Sequence, residues 1–85
     1  MTAADAEILA AVRSCLRLAL KLSEPEADAV GLQTTALEIK GWRSMAHLEL
    51  ILSIERQFDM MFEADEIASL ASVAAIVSAV KRNRS

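Results

Sequence analysis

Apolar residues recur at steps of three and four early in the chain: Ile8, Val12, Cys15, Leu16, Ala19 and Leu20, with Arg13, Arg17 and Lys21 on other faces. That period predicts an amphipathic α-helix over about residues 5–22. Ser23-Glu24-Pro25-Glu26 follows, and the missing donor of Pro25 predicts that the helix stops there. Residues 23–43 contain Gly31 and Gly41 and hold no sustained period. They are expected to form a long loop, pinned to the core by Leu32, Leu37 and Ile39, and a loop of that length in a compact domain usually serves a function. A second helix is predicted over 44–58, with Ser44 able to act as its N-cap and Gly41 supplying backbone freedom just before it. Residues 59–63 read as a connector and 64–70 as a short third helix. Ser72 can cap a last helix in which Val73, Ile76, Val77 and Val80 form one stripe, ending in basic residues that suit a helix C-terminus.

The expectation is therefore an all-α, four-helix bundle with three longer helices, one short one and a long loop between the first two. Composition agrees. Hydrophobic residues make up 54% of the 85-residue chain and aromatics 4%, with two Gly and one Pro, which describes a compact helical chain rather than a disordered or β-rich one. One domain over 1–85 is expected, with an ordered body of about 5–80 and a basic tail at 81–85.

Twelve acidic residues against nine basic ones give a formal charge of -3. Lys81, Arg82 and Arg84 lie in the tail, so the rest of the chain has six basic residues against the same twelve acidic ones, or -6. An acidic body argues against nucleic acid and favours basic protein partners. No signal peptide and no membrane-length apolar run can be read, so a cytoplasmic, monomeric protein off the membrane is expected. Cys15, the single cysteine, shares the apolar face of the first helix and reads as an inert core thiol.

The second helix carries two apolar stripes. At 100° per residue, Leu50, Ile51, Ile54 and Phe58 fall on one side, enough to pack against the first and last helices. Met45, Leu48 and Leu52 fall on a separate arc near Glu49, Ser53, Glu55 and Arg56. Two readings of that arc are open: packing beneath the loop or the third helix, or a docking strip for transient partners. His47 has no second histidine or cysteine at ligand spacing and reads as a packed or half-exposed side chain. Trp42 reads as a packing residue, and no spacing suggests acid–base or nucleophilic machinery, so no catalytic activity of its own is expected.

The run Gly41-Trp42-Arg43-Ser44-Met45-Ala46-His47-Leu48-Glu49-Leu50, continued by Ile54-Glu55 and Phe58, resembles the acyl carrier and peptidyl carrier protein family, whose signature is Gly-x-Asp-Ser-Leu, a hydrophobic-Glu-Leu step, then Leu-Glu and Phe. The resemblance extends to the first helix through Val12, Cys15, Leu16 and Leu20, and to the last. It implies that Ser44 carries 4'-phosphopantetheine, transferred from coenzyme A by a phosphopantetheinyl transferase, with the cargo held as a thioester. It also implies that Met45, Leu48, Glu49, Leu52 and Glu55 contact partner enzymes: the transferase, an acyl- or aminoacyl-loading ligase, and an acyltransferase or synthase. A sheltered acyl chain would lie among Leu50, Ile54 and Leu70.

Arg43 stands where the family has Asp. A cation at a helix N-terminus is unfavourable by roughly 0.3–1 kcal/mol, although it can also pair with the phosphate of the arm. An engineered substitution, a natural variant with a matched transferase, and a carrier-like domain that is no longer modified all remain open. The alternative from another class is an unmodified helical module that binds or regulates through the same surface. Fatty acyl, polyketide and aminoacyl cargo all fit the resemblance, and Trp42, Met45 and the cations Arg43 and Arg56 suggest a specialised pathway.

Overall fold

The computed structural model describes residues 3–84, and the side chains of Ser44 and Arg84 lie outside the description. The described chain is all-α. Its helices are α1 (Ala3–Leu20), α2 (Glu24–Asp28), α3 (Ser44–Phe58), α4 (Ala64–Ile67) and α5 (Val73–Arg84), with a 3-10 turn over Ala36–Glu38. α1 is the packing centre and contacts α2, α3 and α5.

The predicted stripes are the ones that become buried. Ile8, Val12, Cys15 and Leu16 from α1 meet Leu50, Ile51 and Ile54 from α3 and Val73, Ile76, Val77 and Val80 from α5 in one cluster. Leu9 and Ala79 join them. An ion pair at 2.8 Å between Lys81 and Asp5 ties the end of α5 to the start of α1. Lys81, Arg82 and Arg84 thus extend the last helix instead of forming a tail beyond it.

The loop between the first two long helices differs from expectation. α1 ends at Leu20, with Lys21 in the left-handed region at φ 56° and the Leu22 amide donating to the Arg17 carbonyl. Pro25 then lies in the first turn of α2 rather than acting only as a stop. A proline is tolerated there because its missing N–H has no helical partner at that position in any case. Ser23 and Glu26 complete a reciprocal capping box: the Ser23 amide donates to the Glu26 carboxylate at 2.9 Å, and the Glu26 amide to the Ser23 hydroxyl at 3.3 Å.

Beyond α2, the loop is held by backbone pairing with the start of α5. The Ala36 amide donates to the Ala71 carbonyl at 2.8 Å, and the Val73 amide to the Thr34 carbonyl at 2.9 Å. Leu32 and Ile39 pack against the core, whereas Leu37, expected to pin the loop, is exposed. Ser72 caps α5 as predicted, its hydroxyl accepting the Ala75 amide at 3.1 Å. α4 is shorter than expected and ends at Ile67, leaving Leu70 to enter the core from the following turn.

Candidate functional site

The chain reaches α3 through two tight turns. The Trp42 amide donates to the Ile39 carbonyl at 3.2 Å, and the Arg43 amide to the Gly41 carbonyl at 2.9 Å. Gly41 sits between them at φ 94°, a conformation L side chains rarely adopt. α3 begins at Ser44, as predicted, but its N-cap is Arg43, which is extended at φ -132° and ψ 179° and makes no side-chain capping bond. No acidic residue lies in the first turn. Ser44 is therefore the first helical residue rather than the cap. Its hydroxyl, where attachment is expected, lies outside the described side chains.

Trp42 is 5% exposed and packs into the core cluster. Its indole N–H donates to His47 Nδ1 at 2.8 Å, and the two rings stack with centroids 6.1 Å apart. His47 Nε2 lies 3.0 Å from the Ile67 carbonyl. An indole can only donate, so both contacts form together in the tautomer whose proton is on Nε2. The residue expected to be merely packed thus bridges the start of α3 to the end of α4.

The second stripe of α3 is open to solvent. Met45 is 70% exposed, Leu48 46% and Leu52 54%, so the reading in which they pack beneath the loop or α4 does not hold. Glu49 and Arg56 are exposed beside them. At the far end of the helix, Leu52, Arg56, Met60 and Met61 line a shallow groove, and Met61 is largely exposed. This gives α3 an apolar strip from its first turn to beyond its C-terminus.

The other predicted site residues divide. Glu55 is half-buried, and its carboxylate accepts the Phe62 amide at 2.8 Å, so it orders the connector after α3. Leu50, Ile54 and Leu70 are fully buried members of the common core, and anything inserted among them must displace packed side chains. Cys15 is buried as expected; burial pushes its thiol up from the ordinary range, and the Arg56 charge offsets part of that rise. Among the described residues, no three His, Cys, Asp or Glu side chains cluster to hold a metal ion, and no helix is long and apolar enough to cross a membrane.

The sequence did not single out the pairing of Trp42 with His47. Its signal is their spacing, which places the two just outside and just inside a helix start once Arg43 is known to be the N-cap. No family model, curated protein or solved structure matches the chain.

Proposed function

We propose that this protein is a carrier of the acyl or peptidyl carrier type, with its helices forming that family's bundle and 4'-phosphopantetheine from coenzyme A attached at Ser44. The observation that carries the reading is the coincidence of the Gly41–Phe58 motif with a helix that starts at Ser44 and bears an exposed apolar strip, Met45, Leu48 and Leu52, beside that start. Core-facing positions alone do not require such a strip.

The residues fit the group. A phosphodiester at the first residue of a 15-residue helix meets the positive end of the helix dipole, with no carboxylate in the first turn to repel it and exposed Arg43 adjacent. The arm supplies a terminal thiol on which an acyl or aminoacyl group rides as a thioester. The chain's own contribution is to present Ser44 at a fixed helix start and to offer Met45, Leu48, Glu49 and Leu52 to partner enzymes: the transferase, a loading ligase and an acyltransferase or synthase. Glu55 contributes indirectly, by holding the Phe62 amide next to the strip's far end.

A second reading, an unmodified binding or regulatory module using the same strip, is favoured by one observation, the cation at Arg43 where the family has an acid. The intact mass after incubation with coenzyme A and a broad-specificity phosphopantetheinyl transferase separates the two. One added phosphopantetheine on the wild type and none on Ser44→Ala supports the carrier; no addition to the wild type or to Arg43→Asp supports the module.

A further inference from the structure

The start of α3 lacks the usual local supports. Its N-cap is an arginine with no side-chain capping bond, and its first turn holds no acid. An N-cap hydroxyl or carboxylate normally satisfies a free N–H there, and an acid normally complements the dipole. The first helical hydrogen bond, from the His47 amide to the Arg43 carbonyl at 2.7 Å, nevertheless forms.

Counting from Arg43 as N-cap, Trp42 is the residue before the cap and His47 is the fourth helical residue. Those are the positions that pack together in a hydrophobic staple, which fixes the direction from which a chain enters its helix. Here the staple is reinforced by the 2.8 Å bond from the indole to Nδ1, and His47 is held in turn by the Ile67 carbonyl at 3.0 Å. Trp42 is 5% exposed, and His47 Nδ1 is the acceptor of its part-buried indole N–H, so losing His47 costs that bond.

We infer that Trp42 and His47 form a hydrogen-bonded staple that fixes the start of α3 in the absence of a side-chain cap and holds Ser44 at its first position, making both of them positioning residues for modification at Ser44. The functional half of this inference rests on the carrier reading; the structural half does not. The staple fixes the entry of the chain into α3 from either side of Arg43, and it accepts none of the first-turn N–H groups. Gly41 is the accompanying requirement, since its positive φ turns the chain so that Trp42 points into the core.

Three variants separate the bonds from the bulk. His47→Gln keeps one acceptor and one donor, His47→Leu keeps neither, and Trp42→Phe keeps an aromatic ring but loses the donor. Each is assayed where urea titration shows it fully folded, by kcat and KM for phosphopantetheine transfer from coenzyme A and by amide hydrogen exchange at position 47, Leu48 and Glu49, the first amides bonded within α3. His47→Leu and Trp42→Phe are expected to lose about tenfold in kcat/KM and to exchange those amides about tenfold faster, with His47→Gln restoring most of both. Unchanged kcat/KM in His47→Leu and Trp42→Phe, with the wild type modified, overturns the positioning role while leaving the carrier reading intact. If the wild type is not modified at all, the carrier reading fails and the exchange rates decide: unchanged protection of the three amides in His47→Leu overturns the staple, and its selective loss supports it.

Discussion

Glu55 Oε2 accepts the Phe62 amide at 2.8 Å, across the left-handed turn at Asp59 that ends α3. A residue that motif reasoning assigns to partner contact thus also serves the fold, while lining the groove with Leu52 and Arg56. A hydrogen bond to a charged group contributes about 1.5–3 kcal/mol, so Glu55→Ala should lower stability by roughly that amount. Glu55→Gln, which keeps an acceptor, should cost less, and exposed Glu49→Ala should stay within about 0.5 kcal/mol. Urea unfolding of the three variants checks this ordering, and equal stabilities for Glu49→Ala and Glu55→Ala would refute it.

Gly41 and Gly31 offer a matched pair. No neighbouring atom lies within 4 Å of a Cβ added at either position, but only Gly41 has a positive φ, at 94°. Gly41→Ala should therefore cost about 1–3 kcal/mol through backbone strain alone. Gly31→Ala should be neutral or slightly stabilising, because it restricts the unfolded chain without straining the fold. Denaturant midpoints measured side by side test the contrast.

Acid should loosen α2. The Glu26 carboxyl is held below its ordinary range, chiefly by the Ser23 amide and then by the Ser23 side chain. A depressed folded-state value means that the capping box stabilises the protein above the unfolded Glu range, and that this contribution is lost as pH falls through the folded value. The Ser23 amide resonance, followed by NMR from neutral to acid pH, should titrate below the ordinary Glu range and lose that titration in Glu26→Gln. A Ser23 amide insensitive to acid would contradict the box.

The exposed strip should contribute little to stability. Met45→Ser should change it by about 0.5 kcal/mol or less, and Leu48→Ser and Leu52→Ser, at positions where about half of each residue is buried, by about 1 kcal/mol. Ile54→Ala, on the buried side of the same helix, should cost about 2–5 kcal/mol. The triple serine variant should raise KM for a modifying or loading enzyme while remaining folded. An unchanged KM would remove the strip from partner recognition.

Helical periodicity carried most of the fold. The stripes of α1, α3 and α5 could be read because each long helix must bury one face, and a 3.6-residue period leaves little freedom over three or more turns. α2 escaped that reading because five residues are too few to show a period. Its actual signal was the capping spacing of Ser23 and Glu26, with Pro25 suited to a helix start. The pairing of Thr35 with Ser72 joins segments far apart in sequence and leaves no local trace.

The candidate site was legible in part for the same reason. Two stripes on α3 followed from angles alone, but which of them stays wet depends on where α4 packs, a non-local fact. The role of Glu55 depends on the turn at Asp59, and that of His47 on Arg43, not Ser44, being the N-cap.

The most direct measurement is the location of an added mass. After incubation with coenzyme A and a broad-specificity transferase, trypsin cleavage following Arg43 and Arg56 releases the peptide spanning 44–56, which contains Ser44 and Ser53. The carrier reading predicts one phosphopantetheine on that peptide, assigned by fragmentation to Ser44. An unmodified 44–56 peptide from the wild type, together with an unmodified 41–56 peptide from Arg43→Asp, which loses the tryptic site at 43 and is cut after Lys40 instead, would contradict it.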